Sequence, residues 1–145
     1  MKKLKTVALI FFICVFMCSC YDKDPYEGKR PTDCPNSYWV CEQYNVQFSV
    51  DEDKLLSDAQ ITIQSKQIPF SFLWWSFDNR VTIRFEVDSQ KNGMLGYCEF
   101  SEDEFTITID DTKGFYSEEQ IVMEFIRVSE DEYLAAKNTG NGSLS

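Results

Sequence analysis

Between Trp39 and Val128 apolar side chains recur at every second position, and this period of two constrains the fold more than any other feature of the chain. The cleanest case is Val81, Ile83, Phe85 and Val87, alternating with Thr82, Arg84, Glu86 and Asp88. Such a segment has one dry face and one wet face, as a half-buried antiparallel strand does. Val46, Phe48 and Val50 repeat the pattern, as do Ala59, Ile61 and Ile63, then Phe105, Ile107 and Ile109, and finally Ile121, Met123 and Phe125. Trp39 and Cys41 share one face of a first strand. Polar turns separate these runs. Lys91-Asn92-Gly93 reads as a hairpin loop, because Asn-Gly tolerates positive φ. Leu55-Leu56 reads as one helical turn, and Pro69 should sit at a strand start or an edge.

This amounts to about eight strands, spaced about every 10–12 residues and joined by short loops, which predicts an all-β antiparallel meander. An open sheet of this size would expose two edges, so closure is favoured. The expected architecture is a lipocalin-like barrel or half-barrel.

One run departs from alternation. Ile68 to Phe77 is apolar on both faces, with Phe70, Phe72 and Trp74 on one side and Leu73, Trp75 and Phe77 on the other. Such a segment can close a barrel, line a pocket mouth or form an adhesive patch. In a regular strand Trp74 and Trp75 point to opposite faces, so one of them faces away from the core. Phe72, Trp74, Trp75 and Tyr97 are the candidate ligand contacts.

The first twenty residues address the chain. Lys2, Lys3 and Lys5 form a positive n-region, and Thr6 to Met17 is an uncharged apolar run, too short to span a bilayer comfortably. Met17-Cys18-Ser19-Cys20 resembles a lipobox, which implies cleavage after Ser19 and a diacylglycerol thioether on Cys20. The expected organisation is a lipoprotein signal peptide over 1–19, a flexible tether over 20–35, a β domain over 36–134 and a disordered tail over 135–145. The expected location is the extracytoplasmic face of the cell membrane, reached through the N-terminal lipid. The Pro-rich, charged tether could reach roughly 50 Å at about 3.3 Å per residue.

Removing the signal peptide takes three lysines and no acids, leaving 11 basic residues against 24 acidic ones, a formal −13. That balance disfavours nucleic acid, whose phosphates would be repelled. The expected chain is a monomer. It has no histidine, which excludes Ser-His-Asp and Cys-His nucleophile systems and the usual imidazole zinc site. No glycine-rich phosphate loop is present, and the acidic clusters lack calcium-loop spacing. No catalytic residue, metal ligand or cofactor is therefore assigned. Ser-Glu-Asp-Glu occurs at Ser101 and again at Ser129, each time after a strand, and reads as a shared loop.

Cys14 and Cys18 leave with the signal peptide and Cys20 carries lipid, so Cys34, Cys41 and Cys98 remain. These allow one disulfide with three choices. Cys41 and Cys98 are the preferred pair, since both lie in expected strands; the other reading is buried free thiols acting as small hydrophobes.

Trp39-Val40-Cys41-Glu42, Gly96-Tyr97-Cys98-Glu99-Phe100-Ser101 and Met123-Glu124-Phe125 resemble three landmarks of a group of small, uncharacterised lipoproteins of Gram-positive gut bacteria. That group shows Trp-x-Cys-Glu, then Gly-x-Cys-x-Phe, then a closing Ile-x-Phe, with Met123 here in place of isoleucine. The resemblance supports Cys41 and Cys98 as a matched pair and implies no activity. The expected function is a non-catalytic binding module for a small apolar ligand. The alternative is an envelope protein-interaction or inhibitor subunit that uses an exposed aromatic patch.

Overall fold

The computed structural model describes residues 23–75 and 77–141, without the side chains of 139–141. The expected signal peptide, Cys20 and the last four residues lie outside them. Nine antiparallel strands form one sheet: β1 Ser37–Cys41, β2 Val46–Val50, β3 Leu56–Ser57, β4 Gln60–Ile63, β5 Lys66–Trp74, β6 Arg80–Val87, β7 Gln90–Phe100, β8 Glu104–Ile109 and β9 Ile121–Val128. A helix, α1, follows over Glu130–Asn141. The strand order is β3-β2-β1-β9-β8-β7-β6-β5-β4. The first strand thus pairs with the last, with Val40 opposite Ile126. The two outermost strands, β3 and β4, are separated in sequence by Asp58 and Ala59 alone. Three peptide steps span at most about 11 Å, so the sheet must curl until its edges meet. The result is a curled half-barrel.

Alternation places the greasy half of each strand inside. Trp39, Phe48, Phe105 and Phe125 are among the largest fully buried side chains. Phe105 and Phe125 are direct cross-strand partners and stack with centroids 4.5 Å apart and planes 1° apart. Phe48 meets Phe72 edge-on at 5.2 Å, and Trp39 meets Phe105 at 5.2 Å. Edge-to-face and offset contacts suit ring quadrupoles and contribute beyond area burial. Rings at these distances occupy the interior of the half-barrel.

Register corrects several local expectations. The β6–β7 turn is Asp88-Ser89, with φ of 50° and 64°, and Lys91-Asn92-Gly93 lies within β7 opposite Glu86, Phe85 and Arg84. Turning at Asn-Gly would have slipped β7 and put its apolar side chains on the wet face. The observed register sets Met94 against Ile83 and Gly96 against Val81. Leu56 is in β3, not in a helical turn, because Asp51 N donates to Leu55 O and Leu55 N donates to Asp51 Oδ1, closing a hairpin. Pro69 lies inside β5 opposite Gln60. Its missing N–H falls on the β6 side, where the β5–β6 register stops at Phe70 and Phe85.

The expected tether is packed from Asp24 on. Arg30 is 7 % exposed, donates to both Asp24 carboxylate oxygens at 2.7 and 3.2 Å, and donates to the Trp75 carbonyl at 2.9 Å. Tyr26 meets the Phe100 ring at 5.8 Å. The expected tail is likewise ordered into α1 as far as Asn141. Ser129 caps this helix: its Oγ lies 2.7 Å from Glu132 Oε2, which also accepts the Ser129 N–H at 2.9 Å. This is a capping box. Tyr133 is buried against Tyr38, at 5.2 Å between centroids, so α1 covers the outer side of β1.

Cys41 and Cys98 are free, correcting the expected disulfide. They sit on β1 and β7, with β9 and β8 between them. Three strand spacings are about 14 Å along the sheet, well beyond the Cα separation that a disulfide bridges. Both are buried, and burial pushes the Cys98 thiol up to about 12 and raises Cys41 as well. They serve as small hydrophobes in the core.

Candidate functional site

The four expected ligand contacts divide between two faces. Phe72 is 9 % exposed and packs against Phe48, Phe70, Trp74 and Phe125. Trp74 is half-buried against Phe100 and Phe105, with its Nε1 buried and without a hydrogen-bond partner among the described residues. Trp75 and Tyr97 stand on the outer face, 42 % and 44 % exposed. The structure therefore joins Phe72 to Trp74 in the filled interior and Trp75 to Tyr97 outside. It does not bring all four to one cavity.

The outer pair is set by backbone pairing. Trp75 N donates to Arg80 O, and Arg80 lies directly opposite Tyr97, so Trp75, Arg80 and Tyr97 form one row across three chain segments. Leu73, Thr82 and Leu95 form the next row. Leu73 and Leu95 are exposed, which makes a contiguous apolar patch on the wet side of β5–β7. Trp75 is braced at three points. The Arg80 guanidinium stands 4.8 Å over its ring and is held in turn by Asp78 at 2.6 Å. Its Nε1 donates to Thr82 Oγ1 at 3.2 Å, and its carbonyl accepts from Arg30. A side chain fixed in this way loses little entropy on docking.

One residue of this surface was not singled out by sequence reasoning. Arg84 lies between Ser71 and Gly93, whose side chains are too small to cover it. A groove of about 650 Å³ opens there, with Thr82, Lys91 and Glu86 along it. Among the described residues Arg84 forms no ion pair. The signal for it was present: an arginine on the wet face of a strand, in a chain with far more acids than bases.

Among the described residues no group of three or more Cys, Asp or Glu is placed to hold a metal ion, and no helix is long and apolar enough to cross a membrane. No family model, curated protein or solved structure matches this chain.

Proposed function

We propose that this chain is a lipid-anchored, non-catalytic interaction module on the extracytoplasmic face of the membrane, and that it docks an envelope protein on the outer face of β5–β7. The braced, exposed Trp75 beside Arg80 and Tyr97 carries this reading. A side chain of that size, held rigid at the surface, is the kind that anchors protein interfaces. Arg84, which forms no ion pair among the described residues, indicates a partner surface that is apolar and fringed with carboxylates.

The anchor rests on Lys2, Lys3, Lys5, the apolar run and Cys20. The packing of Asp24 and Arg30 supports a short attachment. Four residues from Cys20 to Asp24 reach about 13 Å, so the domain would sit close to the bilayer. The chain reaches the fold beside Trp75, through Arg30, so the docking face adjoins the membrane and favours a partner that is itself in the envelope. A small apolar ligand inside the barrel is disfavoured by the rings around Phe48, Phe105 and Phe125 that fill its place.

The test is purification of the full-length protein from membranes of its own cells. A stoichiometric envelope protein should accompany it and be lost with Trp75→Ala, while labelling with a palmitate analogue persists. Cys20→Ala should abolish both the label and membrane retention. A partner that stays with Trp75→Ala would remove the docking face, and a labelled, membrane-bound Cys20→Ala protein would remove the anchor.

A further inference from the structure

A second surface lies at the other end of the half-barrel. β1 starts beside the N-terminal segment and runs to a loop at Gln43–Asn45. That loop shares its end of the meander with the β4–β5 turn at Gln64-Ser65 and the long β8–β9 loop. Between the three loops is an open cleft of about 730 Å³, within the size range of small-molecule sites.

Two properties set this cleft apart. First, its lining carries no charge: it consists of amides, hydroxyls, aromatic rings and one glycine. The Glu118 carboxylate lies at its rim, where Oε2 accepts the Ser117 hydroxyl at 2.8 Å. Second, its amide side chains are little engaged by the protein. Asn45 and Gln64 make no side-chain hydrogen bond among the described residues, and Gln43 makes one of 3.5 Å, to Tyr44. The floor is aromatic, with Tyr44 and Tyr116 edge to face at 5.9 Å and Phe115 beside them. Among the described residues the Tyr116 hydroxyl is buried there without a hydrogen-bond partner, an arrangement that folded proteins rarely leave without a role.

The lining thus offers neutral groups that both donate and accept, set around ring faces. Amides and hydroxyls match the hydroxyls of a sugar, each of which donates and accepts in turn. Aromatic rings match the apolar C–H faces of a pyranose. An anionic ligand would find no cation in the lining and would meet the Glu118 carboxylate at its rim, which can also accept from a sugar hydroxyl.

We propose that this cleft binds a neutral oligosaccharide, held by Gln43, Asn45 and Gln64 and stacked on Tyr44 and Phe115. It lies at the end of the domain opposite the N-terminal segment. If the anchor is as proposed above, it faces away from the membrane, but the cleft chemistry does not depend on that.

The backbone supplies a clean test. Asn45 and Gln64 have φ of 50° and 49°, where glycine is at ease. Asn45→Gly/Gln64→Gly therefore removes both amides without straining the turns. The full-length protein would be held in a detergent without sugar headgroups. Saturation-transfer NMR and calorimetry would follow maltohexaose, cellohexaose and mannohexaose at millimolar concentration. A galacturonic acid hexamer would be the charged counterpart, and a neutral Gly-Ser-Asn peptide the alternative occupant. At least one neutral hexasaccharide should bind at one per chain. The double variant should melt no lower than the parent and bind that sugar about tenfold more weakly or worse, as loss of hydrogen-bonding groups from a site predicts, and Trp75→Ala should leave binding unchanged. Absence of binding by all three sugars would overturn the proposal. So would a preference for the charged hexamer or the peptide, or full affinity in the double variant.

Discussion

The Asp58 carboxylate lies 2.8 Å from the Lys137 ammonium and accepts the Tyr133 hydroxyl at 3.2 Å. Asp58 sits between β3 and β4, where the two edges of the sheet meet, with φ of 59°. Lys137 and Tyr133 belong to α1. The helix is therefore fastened to the bend where the chain leaves β3 and enters β4.

That fastening predicts a pH dependence. The hydrogen bond from Lys137, with the Lys137 charge and the hydrogen bond from Tyr133 O–H, holds the Asp58 carboxyl below its ordinary value, against a smaller desolvation effect. A depressed carboxylate stabilises the fold above its unfolded value of about 4, and that contribution is lost as pH falls through the lower folded value. Asp58→Asn keeps a residue that tolerates positive φ and removes only the charge. It should melt below the parent at neutral pH, and the gap should close in acid, as read by circular dichroism melts from pH 7 downward. A gap of constant size would show that Lys137 and Asp58 do not act as a pair.

Gly96 is required by space. A Cβ built there lies 2.5 Å from Ile107 Cγ2 and 3.3 Å from Val81 Cγ1. Gly96→Ala should cost about 1–3 kcal/mol by overpacking. Ile107→Ala opens room at that point, so the double variant should lose less than the sum of the two single losses. Urea unfolding of the four proteins gives the coupling, and strict additivity would mean the clash is relieved elsewhere.

The two copies of Ser-Glu-Asp-Glu should respond differently to the same change. Ser129→Ala removes the helix cap and should cost about 1 kcal/mol. Ser101 turns the chain between β7 and β8, its N–H and Oγ both bonded to the Glu104 carbonyl on the exposed surface. Ser101→Ala should stay within about 0.5 kcal/mol of the parent, as surface changes usually do. Denaturant midpoints measured side by side decide it, and equal losses would remove the capping role.

Thiol counting checks the cysteines. Cys34 is half-buried while Cys41 and Cys98 are buried in the core. A disulfide-exchange reagent at pH 8 should react with at most Cys34 in the native protein and with all three after denaturation. A denatured count of one, with the remaining thiol mapped to Cys34, would restore the Cys41–Cys98 bridge.

Strand positions and inward faces were legible from period-two alternation, because a sheet with one wet side sorts residues by polarity at the level of the chain. Val81, Ile83 and Phe85 all point inward as read, and Trp74 and Trp75 do take opposite faces. The β6–β7 turn was misplaced because Asn92-Gly93 is the better local turn, while the register of Met94 and Gly96 against β6 is a property of the pair. The helix start at Ser129 was written in the sequence as S-x-x-E followed by Tyr133-Leu134-Ala135-Ala136-Lys137. The identical tetrapeptide at Ser101 precedes the alternating Phe105-Thr106-Ile107, and four residues cannot carry the distinction.

The amino-acid order alone determined that this chain would form antiparallel strands with an aromatic interior, since side-chain polarity and a period of two are local properties. Tertiary structure decided which groups share a surface. Trp75 shares a row with Arg80 and Tyr97, and Gln64 lines one cleft with Tyr44 and Phe115, only after strands distant in sequence have curled into one sheet. Register and curvature arise from burial summed over all nine strands, and no single stretch of the chain contains that sum.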